Sequence, residues 1–156
     1  MTQDQRDEID RLVNIFINGL TSISKDAGWE GDSLLSRVIE FAGCPPRPTG
    51  YDQSNMAMIN AIRFLFGSNP DLPRIKAAIN LLLKSNQAQI EAILHKHFYR
   101  GLNERTDRSF TDADRARLCN QDERAFRYNV TSAYKLIDRE LDRVDLVFAE
   151  FYEMTG

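Results

Sequence analysis

Cysteine is scarce in this sequence, and long apolar runs are missing. The chain has two cysteines among 156 residues, Cys44 and Cys119, and their unrelated contexts indicate a reducing compartment and no disulfide framework. No run approaches the roughly 20 apolar residues of a membrane-spanning helix. The first ten residues are acidic and polar, unlike the basic and then apolar start of a signal peptide. We therefore expect a cytoplasmic protein without membrane contact.

Sequence motifs for catalysis and for metal binding are also missing. The chain has no phosphate-binding glycine loop and no nucleophile elbow. His95 and His97 lie two residues apart in a predicted helix, so their side chains would point about 200° apart and could not share a metal ion. We therefore expect no enzyme activity and no cofactor.

The alternating β-branched runs that indicate strands are absent, whereas apolar residues recur at intervals of three and four. This periodicity predicts an all-α, multi-helix protein with a long final helix. The predicted helix starts are the Thr2–Gln5 capping box, Asp32 or Ser33, about Ser54, Pro73 in a first turn, a Ser85 cap, Asp112 and Gln121. Predicted ends lie before Gly28, at Gly43, Phe66, Gly101 and Cys119, and about Met154.

A proline-rich segment, residues 44–50, is the clearest break between helices because proline lacks the amide donor. We divide the chain into an N-terminal helical part, 1–67, and a C-terminal helical part, 68–156, or treat both as one continuous domain. Residues 101–110 are polar and predict a loop. The last helix would be roughly 50 Å long, so its far end should pack against the N-terminal helix or a partner chain.

Residues 109–141 predict a short helix, a tight turn and a longer helix, the pattern of a helix-turn-helix. Thr111 and Asp114 form a capping box for the short helix, and Asn120 with Glu123 would cap the longer one. The predicted inward residues of the short helix are Ala113, Ala116 and Leu118. The apolar face of the longer helix comprises Phe126, Val130, Ala133 and Ile137.

Polar and cationic side chains off these apolar faces are of the kinds that meet phosphates and base edges. The candidates on the two helices are Arg115 and Arg117, predicted to face outward, and Gln121, Arg124, Arg127 and Tyr128. Lys96 and Arg100 belong to a cationic run before the motif and could contact phosphates. With a net charge of -3, any nucleic-acid contact must come from such a local patch. The alternative is two ordinary core helices with solvated charges.

The run from Ile90 to Leu141 resembles the sigma-like helix-turn-helix of phage late-gene antiterminators of the Q type. These are similar to the domain of bacterial sigma factors that reads the promoter −35 element. The matching residues are Ile93 and Leu94, the segment Phe98 to Gly101, Ala116 and Leu118, and Phe126, Val130, Ala133 and Ile137. The loop from Leu102 to Phe110 is longer than in the sigma pattern, and the turn has one residue more.

The resemblance implies a DNA-binding transcription regulator in the cytoplasm of a bacterial host. Such a protein binds double-stranded DNA, engages RNA polymerase and lets it read through terminators. Gln121, Arg124, Arg127 and Tyr128 would then face DNA, Arg115 and Arg117 would lie near its backbone, and the first hundred residues would face the polymerase. The alternative is a small helical protein–protein interaction protein, such as a phage-encoded inhibitor or adaptor, without DNA contact. The oligomeric state stays open.

Overall fold

The computed structural model describes residues 1–27 and 70–155, and most of these residues are helical. The described helices are α1 (Gln3–Ala27), α2 (Asp71–Ser85), α3 (Gln87–Phe98), α4 (Asp112–Leu118) and α5 (Glu123–Thr155). The all-α prediction is confirmed for this part of the chain. The helices predicted near 33–42 and 54–66, and the proline-rich break at 44–50, lie outside the described residues.

A short antiparallel hairpin interrupts the helices where the sequence predicted only a loop. Strand β1 (Leu102–Asn103) pairs with β2 (Arg108–Ser109), with Leu102 opposite Ser109. Gly101 precedes the hairpin with a φ of 76°, a left-handed conformation that glycine adopts without steric cost. The expectation of no strand was wrong here because two-residue strands are too short to show an alternating pattern.

The core is a single cluster to which the described parts of α1, α2, α3, α4 and α5 all contribute. Its buried members include Ile9, Leu12, Val13 and Phe16 of α1, Ile75, Ala78 and Ile79 of α2, Ile90, Ile93 and Leu94 of α3, Ala116 of α4, and Phe126, Ala133, Ile137 and Leu141 of α5. The apolar face predicted for α5 is therefore confirmed. Because α1 shares this core, its contacts join the predicted N-terminal part to the C-terminal part; the division at residue 67 stays a prediction.

The ends of the helices can be compared with the predicted capping residues. At the start of α1, Thr2 N–H donates to Gln5 Oε1 (2.9 Å) and Gln5 N–H donates to Thr2 Oγ1 (3.2 Å), so this capping box is confirmed. Pro73 lies in the first turn of α2, as predicted. Ser85 does not cap α3: it is the last residue of α2, and the chain bends at Asn86 (φ −135°, ψ 54°), which makes α2 and α3 two helices.

Helix α5 has 33 residues and is about 50 Å long at 1.5 Å per residue. Beyond its first half it packs on α2, where Arg74 donates to both carboxylate oxygens of Asp145 (2.7 and 2.8 Å) and Val144 is buried. It also contacts α1, the N-terminal helix, through Tyr134 in its first half. That its far end packs against α1 or a partner chain stays a prediction. Across residues 1–27 and 70–155, no helix has both the length and the apolar character needed to cross a membrane.

Phe126 gives a direct test of the α4–α5 junction, since its ring is 1% exposed in the core. We expect Phe126→Ala to lower the free energy of unfolding by roughly 3–5 kcal/mol, because it leaves a cavity as well as losing apolar burial. Urea denaturation followed by circular dichroism measures this loss. Tyr128→Ala, two residues away on the exposed face, should change it by less than about 0.5 kcal/mol. A loss under about 1 kcal/mol for Phe126→Ala would contradict this packing.

Candidate nucleic-acid interface

Helix α4 begins at the predicted capping box. Asp114 N–H donates to Thr111 Oγ1 (3.2 Å), and Thr111 N–H donates to Asp114 Oδ2 (3.1 Å). These two bonds satisfy amide donors that a helix start leaves without intrahelical partners. A helix of only seven residues is thereby fixed at the end where it leaves the hairpin.

The turn between α4 and α5 is closed by backbone hydrogen bonds. Gln121 N–H donates to the Ala116 carbonyl (2.8 Å) and Asn120 N–H to the Arg117 carbonyl (3.2 Å), the bonding pattern of a Schellman motif. This motif needs a left-handed residue, and Asn120 supplies it with a φ of 56°. The turn therefore ends α4 with a defined exit direction and without glycine.

The cap of α5 is Asp122. Its Oδ1 accepts from the backbone N–H of Arg124 (3.1 Å), in the position of an N-cap side chain. The predicted Asn120 cap is therefore wrong, because the left-handed turn already uses Asn120. For the same reason α5 starts at Glu123 and not at Gln121.

Gln121, a predicted base-reading residue, is held within the chain. Its Nε2 donates to the Ala88 carbonyl on α3 (2.9 Å), and its Oε1 accepts from Asn129 Nδ2 (2.9 Å). Both ends of the side-chain amide are thus engaged, and the residue is half-buried. Gln121 ties the turn to α3 in this structure, and its predicted DNA contact stays a prediction.

Two orientations predicted for α4 are wrong. Arg115 was expected to face outward, but its side chain is 16% exposed, and it donates to the Tyr99 carbonyl (2.8 Å) and to Asp112 Oδ1 (3.1 Å). Tyr99 follows the last residue of α3, so this cation also lies at the negative end of that helix. Leu118 was expected inward but is 41% exposed, while Cys119 is buried in its place.

The remaining candidates near the turn are exposed: Arg117 on α4, and Arg124, Arg127 and Tyr128 on α5. Residues 124, 127, 128 and 131 share the helix face opposite Phe126 and Val130. Arg127 donates to Asp112 (3.2 Å) and Glu123 (2.6 Å), which joins α5 to α4. Tyr128 is 71% exposed. The structure thus leaves Arg124, Arg127 and Tyr128 on one exposed face of α5, and Arg117 exposed on α4 before the turn.

Lys96 and Arg100 lie in the last turn of α3 and just after it. Arg100 is exposed just after α3. Lys96 is half-buried where α1, α3 and α5 meet, and its Nζ donates to the Tyr134 hydroxyl (3.0 Å). Burial lowers the pKa of Lys96, against the opposing attraction of Asp10. Lys96 is therefore engaged inside the helical bundle, and its predicted phosphate contact stays a prediction.

A polar cluster between α1, α3 and α5 was missed by the sequence reasoning. Asp10 accepts from the Tyr134 hydroxyl, and its Oδ1 lies 2.8 Å from Nε2 of His97. Burial raises the pKa of Asp10, but the hydrogen bonds from Tyr134 and His97 outweigh it and leave that pKa below its ordinary value. A signal was present: Asp10 lies among the apolar residues Ile9 and Val13 on α1. Charge at such a position indicates a buried partner.

His95 and His97 occupy separate environments in this bundle. Nδ1 of His95 lies 2.6 Å from the Glu91 carbonyl and therefore donates to it. Nδ1 of His97 lies 2.8 Å from the Ile93 carbonyl and its Nε2 faces Asp10, so both ring nitrogens of His97 have acceptor partners. Burial lowers the pKa of both histidines, while hydrogen bonds oppose the shift. Among the described residues, no group of three or more histidine, cysteine, aspartate or glutamate side chains is placed to hold a metal ion.

Comparison with protein-family models, with curated protein sequences and with solved structures finds no match for this chain.

The burial of His95 predicts a pH dependence of stability. Its folded-state pKa lies below the ordinary value of about 6.5, so the unfolded chain binds the proton more readily and stability falls as pH drops below about 6.5. Each buried group of this kind lowers the free energy of unfolding by at most about 1.4 kcal/mol per pH unit. We expect His95→Gln to lose less free energy of unfolding than the wild type between about pH 7.5 and 5.5. Denaturant titrations at both pH values measure this, and equal losses would contradict it.

Proposed function

We propose that this protein is a DNA-binding transcription regulator that reads duplex DNA with α4, the turn and the first turns of α5, arranged as a helix-turn-helix. The observation that carries the proposal is the exposed face of residues 124, 127, 128 and 131 on α5, directly after a rigid turn. A helix whose N-terminal turns are exposed and cationic suits the major groove, which admits one α-helix.

The rigidity of the turn supports this proposal. Base contacts require side chains held in a fixed register, so a reading helix must start from a fixed point. Here Thr111 fixes the start of α4, Asn120 shapes the turn, Asp122 caps α5, and Gln121 ties the turn to α3. The side chains that build the turn are thus distinct from those that remain exposed on it.

The charges on this surface are suited to a few phosphate contacts. Arg117 and Arg124 form no side-chain hydrogen bond or ion pair within the described part of the chain. Arg127 is 62% exposed on its side chain but already pairs with Asp112 and Glu123. A phosphate at Arg127 would have to compete with these carboxylates. Arg117 and Arg124 are therefore the stronger candidates for phosphate and base contact.

RNA polymerase enters the proposal through the resemblance to the Q-type antiterminators. In that role the α4–α5 surface would hold the protein on DNA, while other surfaces would contact the polymerase and let it pass terminators. The described part of α1 is available for such a contact, because its outer side carries exposed polar residues such as Asp7 and Arg11.

A second candidate function has one observation in its favour. Leu146 and Val147 toward the far end of α5, and Leu81 on the neighbouring α2, are all more than half exposed. Leu81 and Val147 line an apolar groove that also includes Ala77 and Val144. Exposed apolar patches often mark protein interaction sites. The alternative is therefore a helical inhibitor or adaptor that binds protein only.

Salt dependence of duplex binding tests the proposal. A preferred site selected from random duplexes should bind with a log–log salt slope to which each contacted phosphate contributes about 0.9. We expect Arg117→Ala to reduce the slope by about 0.9, and Arg124→Glu to abolish preference for the selected site. Fluorescence anisotropy at several salt concentrations measures both.

Arg139→Glu is the matched control. It makes the same charge change on an exposed residue of α5 about 22 Å further along the helix. This variant should keep both affinity and slope, and all variants should keep the helical circular dichroism spectrum. If the wild type binds no duplex at low salt, even with RNA polymerase present, the proposed DNA-binding function is wrong and the protein-binding adaptor is the better proposal.

A further inference from the structure

We infer that the pocket between the hairpin and α4 binds one unpaired nucleotide of a DNA strand, with its base stacked on Phe110 beside Tyr99 and its phosphate at Arg117. The inference rests on the proposed function in taking DNA as the partner. It adds a second mode of binding, to single-stranded DNA, next to the surface proposed for the duplex.

The pocket has a volume of about 260 Å³ and opens to solvent. Its lining combines aromatic rings, arginines and hydrogen-bonding groups, contributed by Tyr99, Asn103, Arg105, Phe110, Asp114 and Arg117. The volume is below the roughly 300–1,000 Å³ of sites for drug-sized ligands. A single ring system with an attached charged group therefore suits it better than a larger ligand.

The two aromatic rings offer a surface for stacking. The ring centroids of Tyr99 and Phe110 lie 5.3 Å apart with an interplanar angle of 53°. Both residues are only partly buried, and Tyr99 packs against the core. The Tyr99 ring also packs edge-on against Phe98 (4.9 Å, 84°) and against His95 (5.7 Å, 35°), so neighbouring rings hold it in place. Aromatic rings that are held but partly uncovered are the platforms on which unpaired bases stack.

The polar groups around the rings match the other parts of a nucleotide. Arg117 forms no side-chain hydrogen bond or ion pair within residues 1–27 and 70–155, so its guanidinium is available for a phosphate. Asp114 accepts from Thr111 through Oδ2, which leaves Oδ1 for an amino group of a base. Asn103 accepts from Arg105 N–H through Oδ1 (3.1 Å), which leaves its Nδ2 donor. An inorganic anion would use only the arginines and leave the rings without a role.

The position of the pocket connects it with the proposed duplex surface. Arg117 lies in α4, three residues before Asn120 in the turn, and its carbonyl accepts one of the hydrogen bonds that close the turn. Arg117 therefore joins the pocket to the turn that precedes α5. An acidic peptide with an aromatic side chain offers related chemistry and would compete for the same pocket.

Anisotropy with two labelled DNAs tests the inference: a single strand of about 12 nucleotides and the blunt duplex of the same sequence. We expect Phe110→Leu to weaken single-strand binding at least about fivefold, since stacking on one aromatic ring is worth about 1–3 kcal/mol. Phe110→Trp should restore it. Leu146→Ala, an exposed apolar residue toward the far end of α5, should keep single-strand affinity. Phe110→Leu should leave duplex affinity within about twofold.

A second measurement uses the wild-type protein alone. A single strand containing 5-bromouracil, irradiated in complex with the protein, should crosslink to the segment 99–118, and mass spectrometry identifies the attached peptide. A crosslink elsewhere overturns the inference even if Phe110→Leu does not fold. The inference is also overturned if a folded Phe110→Leu variant and the wild type bind the single strand equally well.

The outcomes separate this inference from the proposed function. Duplex binding with no binding of the single strand overturns the pocket and keeps the regulator. If single-strand binding depends on Phe110 and no duplex binds at any salt concentration, the nucleotide pocket is supported and the proposed duplex-binding function is overturned. Binding of an acidic, tryptophan-containing peptide, with neither DNA bound, overturns both.

Discussion

The apolar face of α5 is the constraint on which the rest of the described structure depends. From Phe126 to Val144 it is buried against all four other described helices. Each fully buried side chain of this size contributes roughly 1.5–3 kcal/mol. An exposed ion pair such as Arg127–Glu123 contributes about 0–1 kcal/mol. Apolar burial therefore fixes the rotation of α5, and the opposite face, with Arg124 and Tyr128, is exposed as a consequence.

A polar constraint acts within the same bundle. Asp10 of α1 accepts from Tyr134 of α5 and faces His97 of α3, and Lys96 donates to the same tyrosine. Desolvating such groups costs free energy, and their hydrogen bonds offset that cost only in one relative placement of the three helices. The cluster thus specifies the alignment of α1 with α3 and α5 more than it stabilises the fold. It also uses the amine of Lys96, a residue that sequence alone placed on a DNA-contacting surface.

Periodicity and local capping signals in the sequence predicted where the helices lie. They did not predict the orientation of side chains whose partners are distant in the sequence. The 3.6-residue period identified α1 and α5, and the capping boxes at Thr2 and Thr111 gave the starts of α1 and α4. The cap predicted for α5 at Asn120 was wrong. Helix α4 has only seven residues, which is too short a pattern to predict which of its faces points inward. In the structure Arg115 faces inward to the Tyr99 carbonyl and Leu118 faces outward. Asn120 and Gln121 carry side chains that suit capping or base contact equally well. Only the left-handed turn and the Ala88 carbonyl on α3 show how they are used.

Only a small exposed surface around the turn is left for DNA recognition. Once the side chains engaged inside the chain are set aside, Arg117, Arg124 and Tyr128 carry most of what could meet DNA around the turn. With a net charge of -3, a few cations give weak nonspecific affinity. Useful occupancy then requires a second contact made together with the first, because linked contacts raise affinity through effective concentration. The proposed polymerase contact and the pocket beside Phe110 each supply one. A regulator built this way would be held on DNA only where both contacts are present, which favours action at a defined place over binding along the duplex.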